Sequence, residues 1–162
     1  MVNLSSVLEI ATATHPGMVR SHNEDSIAAD AEMGLAVLAD GMGGYNAGEV
    51  ASGIAVALIP AELKKALAGA APHALNGKEM ERLLSKHAAQ ANRTIYQAAQ
   101  SQPQYSGMGT TLVIALWYDN HLSVGHIGDS RLYRLRGDAL EQITRDHSLL
   151  QEQIDGGMLS KE

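Results

Sequence analysis

Apolar positions follow a strand-like pattern at both ends of the chain and a helical one in the middle. Residues 7–14 are rich in β-branched side chains and predict a first strand, closed by His15-Pro16-Gly17. A polar segment follows, from Met18 to Ser26. Residues 27–30 and 35–40 predict the two arms of a hairpin turning at Glu32-Met33-Gly34, with Gly34 free to take positive φ. Residues 49–59 then place Val50, Ile54, Ala57 and Leu58 on one helical face, and Pro60 is expected to kink or end that helix. After the break at Gly69-Ala70-Ala71-Pro72, Asn76 with Glu79 three residues later signals a second helix start. Its apolar stripe is Met80, Leu83, Leu84, His87, Ala91 and Ile95, running to about Ala99. Residues 101–109 read as a loop. Strands are predicted over 110–118 and 122–127, joined at Asp119-Asn120, and over 131–135 and 139–143, joined at Gly137-Asp138. A short helix is expected over 147–154.

Strands, two helices, then strands again describe an α+β chain with antiparallel sheets rather than strict βαβ alternation. At 162 residues there is length for one domain with a real core. Aromatics are scarce, with no Phe, so small and aliphatic side chains must fill that core. The net charge of -6 argues against general nucleic-acid binding, which needs basic surface to displace counterions. The absence of cysteine removes disulfides, thiol catalysis and Cys-ligated zinc. Residues 1–6 lack the features of a signal peptide, and no apolar run nears the ~18–20 residues of a membrane span, so a cytoplasmic location is expected.

Asp40-Gly41-Met42-Gly43-Gly44 stands apart from this pattern. A carboxylate at the end of an apolar strand, followed by three glycines in four residues, suits close approach of a small charged ligand better than it suits packing. Glu24-Asp25 and Gly128-Asp129-Ser130 are two further acidic points at strand ends. Carboxylates brought together repel by several kcal/mol at ~4 Å and low effective dielectric, unless cations lie between them. Oxygen-only donors favour hard cations such as Mg²⁺ or Mn²⁺. Taken singly, each point has a plain alternative: Asp-Gly as a turn, Asp-Ser as an Asx-turn, Glu-Asp as solvated surface. Composition and spacing suggest a metal–carboxylate site and name no reaction.

Five motifs in order go further. Gly17 through Val19-Arg20 to Asn23-Glu24-Asp25-Ser26 resembles the opening motif of the PPM-type, or type 2C, metal-dependent protein serine/threonine phosphatases, in their bacterial form. So do Val37 to Gly44 with Ala47-Gly48-Glu49 and Ala51-Ser52, then Gly109-Thr110-Thr111, then Gly128-Asp129-Ser130-Arg131 with Tyr133, then Thr144 with Asp146-His147-Ser148. The resemblance implies a fold of two antiparallel β-sheets in a sandwich flanked by antiparallel helices. It implies hydrolysis of phosphoserine and phosphothreonine in proteins, the targets of a Ser/Thr kinase, by a water bridging two Mn²⁺ or Mg²⁺ ions, with a third ion more weakly held. Asp40 would bridge the metals and the Gly41 carbonyl would ligate one of them. Glu24 and Asp25 would hold metal-bound waters or support the ligands, and Asp129 would ligate the third ion. Arg20 would bind two phosphate oxygens through its planar fork. Thr110 and Thr111 are expected to be structural. Met42 stands where many relatives carry a histidine proposed as general acid; a thioether donates no proton, so leaving-group protonation is expected from elsewhere, with His22 and His147 as candidates beside the motifs.

The family continues beyond the equivalent of Glu162, with a Ser-Asp-Gly and an Asp-Asn motif that complete the metal sites. Residues 1–162 are therefore expected to form a single phosphatase domain incomplete at its C-terminus, its flap beginning near residue 148 and its C-terminal strands absent. Unpaired interior strand edges make an oligomer an expectation as well. The competing expectation is a non-catalytic fragment that binds metal or phosphoprotein without the C-terminal ligands.

Overall fold

A computed structural model describes residues 3–44, 47–68 and 76–160. The first hairpin forms as its pattern predicts: β1 (Asp25–Asp30) and β2 (Leu35–Met42) pair antiparallel from Asp25↔Asp40 to Asp30↔Leu35, and Gly34 takes φ +68° in the turn. On its other edge β2 pairs with β3 (Gly109–Thr110) and β4 (Leu112–Tyr118), and β4 pairs with β5 (His121–Ile127). Asp119 and Asn120 both adopt positive φ, the left-handed pair that a two-residue hairpin between right-twisted strands requires. These five strands make one sheet, ordered β1-β2-β4-β5 with β3 beside β2.

One face of that sheet carries two helices. α1 (Ala47–Ala68) packs on β1, β2 and β3, and α2 (Gly77–Ser101) packs on α1 and β5. Side chains alternate along β2, so Leu35, Val37 and Ala39 are buried beneath α1 while Asp40 and Met42 are exposed on the opposite side. The stripe of α2 is buried as expected, His87 included, and the Asn76 Oδ1 accepts from the Glu79 N–H at 3.1 Å. Asn76→Ala should therefore cost about 1 kcal/mol. Thermal denaturation would register that as a fall of roughly 2–4 °C in Tm for a chain of this size.

Three expectations need correction. Residues 7–14 form no strand; they run beside no other described strand that could take up their N–H and C=O groups, and Val7 is 80% exposed. α1 runs unbroken through Pro60, because the burial of Ile59, Leu63 and Leu67 outweighs the one main-chain hydrogen bond that proline removes. Its buried face is Ala51, Ala55, Ile59, Leu63 and Leu67 rather than Val50, Ile54, Ala57 and Leu58. The helix is apolar nearly all round, so its pattern does not mark which face meets the sheet; the buried row is small in its first half and aliphatic in its second.

The second sheet among the described residues is a two-stranded hairpin, β6 (Tyr133–Arg136) and β7 (Ala139–Gln142), with Gly137 at φ +57° in its turn. α3 (Leu149–Asp155) follows, its first turn capped by the Ser148 Oγ accepting from Gln151 N–H. The antiparallel sheets and helices of the expected α+β fold are present, the second sheet among the described residues being this exposed hairpin.

Candidate active site

The site is organised by one row across the sheet. Asp25 lies directly opposite Asp40, so their side chains leave the same face side by side. The register of β2 with β3 and β4 sets Thr111 opposite Asp40 on the other edge, and the Thr111 N–H donates to the Asp40 carbonyl at 2.9 Å. The return bond is unusual. The Asp40 N–H donates at 3.0 Å to the Thr111 hydroxyl oxygen, which stands in for a main-chain carbonyl. Thr110 Oγ1 donates to the same Asp40 carbonyl at 3.0 Å. Thr111 Oγ1 also shares a 2.7 Å hydrogen bond with Ser130 Oγ, tying the Asp40 strand to the Gly128-Asp129-Ser130 turn. Gly128 continues the row beyond Thr111: it has φ +96°, and a Cβ there would meet the Thr111 side chain at 2.9 Å.

The glycines after Asp40 let the end of β2 sit on the first turn of α1. A Cβ on Gly41 would collide with the Gly48 carbonyl and reach the Glu24 carbonyl at 2.6 Å; a Cβ on Gly48 would reach Met42 N at 2.7 Å. The Glu24 carbonyl gathers this contact, accepting from Gly41 N–H at 3.1 Å and from the fully buried Ser52 hydroxyl at 2.6 Å. Ser52 also bonds Ser26 Oγ at 2.9 Å, so α1 holds both strands of the first hairpin at the site.

A cavity of about 660 Å³ opens beside this row, lined by residues 19–22, 24 and 40–43. Arg20, Glu24, Asp40 and Gly41 are thus brought to one wall, together with His22 and Met42, as the sequence pairs them. Asp25 and Asp129 lie outside that lining and act on Asp40 from its two sides. Although open to the cavity, the Asp40 carboxyl is raised above its usual value of 3.8 by partial burial. The Asp25 charge, a hydrogen bond with Asp25 and the Asp129 charge add to the shift, and the Arg20 guanidinium opposes it. His147 is not in the cavity; it sits behind Gly128. Next to the cavity, Met42 also walls a second groove of about 380 Å³ that has no charged residue in its lining.

The carboxylates of Asp40 and Glu24 and the Gly41 carbonyl on this wall are hard oxygen donors of the kind that suits a hard divalent cation. Without a cation, the Asp25 and Asp129 charges beside Asp40 add to burial in favouring its neutral form. A cation among these carboxylates would offset their repulsion. No three His, Asp or Glu side chains among the described residues form a ready-made cage. The arrangement accordingly fits an ion of the Mg²⁺ or Mn²⁺ kind, which keeps several waters and takes one or two carboxylates. Sequence reasoning named Ser52 and Thr111 within the motifs but not their bridging bonds, whose partners lie 28 and 71 residues away.

Comparison with known proteins agrees with this architecture. The family model described as protein phosphatase 2C matches residues 18–153. The chain is 38% identical over 152 residues to the serine/threonine phosphatase stp of Listeria innocua, covering 92% of this chain and 58% of that protein. It is 40% identical over 162 residues to the serine/threonine protein phosphatase PstP of Mycobacterium tuberculosis, covering 100% of this chain and 29% of that one. Among solved structures, the catalytic domain of PstP in complex with two manganese ions superposes with a TM-score of 0.75 at 38% identity, over 89% of this chain and 58% of that chain. PppA of Pseudomonas aeruginosa superposes with a TM-score of 0.77 at 40% identity, over 91% and 60%. The chain therefore spans about three fifths or less of the length of these relatives. Within that length the match runs from the Arg20 segment through the Asp129 turn to α3, and the chain belongs to the protein phosphatase 2C family.

Proposed function

We propose that the protein hydrolyses phosphoserine and phosphothreonine in proteins, with divalent cations held at the Asp40 site. One observation carries this: a single row of the sheet sets Asp25, Asp40 and the Asp129 turn together, and Arg20 lines the same solvent-open cavity as Asp40. Support also comes from relatives described as serine/threonine phosphatases and from the two manganese ions in the PstP domain.

In this proposal Asp40 and the Gly41 carbonyl hold the cations, with Asp129 contributing from its turn and Glu24 and Asp25 orienting ligands and waters. When bound, Mn²⁺ or Mg²⁺ supplies neutralisation of phosphoryl charge and a lowered pKa for water. Arg20 holds two phosphoryl oxygens in its fork, orienting the ester in the cavity. The Met42 thioether on the same wall gives no proton, so the departing serine or threonine oxygen takes its proton from solvent or from the His22 side of the cavity. The phosphoproteins acted on are targets of a Ser/Thr kinase, and the setting is the cytoplasm.

The test is hydrolysis of p-nitrophenyl phosphate and of a phosphothreonine peptide across a Mn²⁺ titration. Turnover that rises with Mn²⁺ and disappears on chelation with EDTA is the expected result. Turnover indifferent to EDTA would overturn the metal role. Mn²⁺ binding with no turnover of either substrate would favour a non-catalytic binding module.

A further inference from the structure

The row that carries Asp25 and Asp40 ends on a side chain rather than on another strand. At the outer edge of β5, the Gly128 carbonyl accepts from His147 N–H at 2.9 Å. The Gly128 N–H donates to His147 Nδ1 at 3.3 Å. The imidazole thus occupies the place of the next strand's carbonyl, the same substitution that the Thr111 hydroxyl makes beside Asp40. Both main-chain groups of Gly128 are satisfied by this one residue, one position before Asp129.

The ring is itself braced. His126 lies against it with centroids 4.5 Å apart, and His126 Nε2 bonds the Arg145 carbonyl at 2.6 Å. A carbonyl only accepts, so His126 carries its proton on Nε2; His147 Nδ1 receives an N–H, so that nitrogen is unprotonated. We propose that His147, braced by His126, is a positioning residue that fixes the Asp129 turn relative to Asp40. The metal-related part of this rests on the phosphatase proposal above; the fixing of the turn does not.

The test uses the whole chain and two substitutions. His147→Leu removes the acceptor, whereas His147→Asn offers Oδ1 near the Nδ1 position. Amide hydrogen exchange at Gly128 reads the turn, exchange at Ile59 and Met80 reports on the core, and electron paramagnetic resonance of free Mn²⁺ reads binding. His147→Leu is expected to speed Gly128 exchange and weaken Mn²⁺ binding about 10–100-fold, the usual cost of losing a residue that orients a ligand, with core exchange unchanged. His147→Asn is expected to recover most of both. Wild-type Gly128 exchange in His147→Leu, equal loss in the two variants, or unchanged Mn²⁺ affinity despite a loosened turn would each overturn the proposal. Failure of the wild-type chain to bind Mn²⁺ would instead sink the phosphatase proposal, with Gly128 exchange still deciding whether His147 fixes the turn.

Discussion

Asp40→Asn is expected to lower Mn²⁺-stimulated hydrolysis by at least about 10³-fold while leaving the metal-free fold no less stable than wild type. The first half follows from the position of the group. Removing a residue that merely orients a metal ligand costs about 10–100-fold, and Asp40 is the carboxylate to which Asp25, Asp129 and Arg20 are all referred. The second half follows from the sign of its titration. Burial and the Asp25 and Asp129 charges raise the folded carboxyl above 3.8, so the folded chain holds that proton more tightly than the unfolded chain does. Stability in the absence of metal therefore falls as pH rises from about 3.8 through the raised value, and the charge costs stability at neutral pH. Asparagine removes that charge and keeps the main-chain bond from residue 40 to Thr111 Oγ1. Steady-state assays with Mn²⁺, paired with thermal denaturation in EDTA from pH 4 to pH 8, check both halves. Activity within tenfold of wild type would remove Asp40 from the centre of the site. A collapsed fold in EDTA would show that the carboxylate stabilises the chain by a route other than metal.

The parts legible in the sequence are those written in local chemistry. Asn76 with Glu79, the stripe of α2, and the Asp119-Asn120 and Gly137-Asp138 turns each contain their own cause within a few residues, and each formed as expected. α1 hid its buried face because nearly all its faces are apolar and the sheet chose among them. Residues 7–14 have strand propensity, but a strand needs a partner and none of the described strands provides one. The acidic points were visible singly; what joins them was not. Thr111 and His147 each place a side-chain atom where a carbonyl would otherwise sit, across separations of 71 and 19 residues. Propensity and periodicity carry no trace of such a bond. Asp40-Gly41-Met42-Gly43-Gly44 lies between the two cases. Its glycines announced a close approach, and only the packing of β2 on α1 says that the approaching group includes the chain's own Gly48.

That packing makes Gly41→Ala the substitution with the largest expected effect on folding. Gly41 has no need of positive φ, so the cost is not one of backbone strain. It is one of volume. The added methyl would overlap the Gly48 carbonyl and come within 2.6 Å of the Glu24 carbonyl, and both neighbours are main chain. No rotamer change relieves a clash with main chain. The end of β2 and the first turn of α1 must separate, which strains the Gly41 N–H and Ser52 Oγ bonds that converge on the Glu24 carbonyl. A loss of at least about 3 kcal/mol is expected, the upper range for overpacking. For a chain of this length that is a fall of roughly 6–12 °C in Tm. The molecules that remain folded should also bind Mn²⁺ more weakly, because the shift moves the Gly41 carbonyl and Asp40 together. Gly44→Ala is the matched control: a Cβ there meets no atom of the described residues within 4 Å, and the change should stay within about 0.5 kcal/mol of wild type. Thermal denaturation of the two variants side by side decides the point. Equal stability of Gly41→Ala and Gly44→Ala would show that the β2–α1 contact yields easily and that the glycine at 41 is not required by packing.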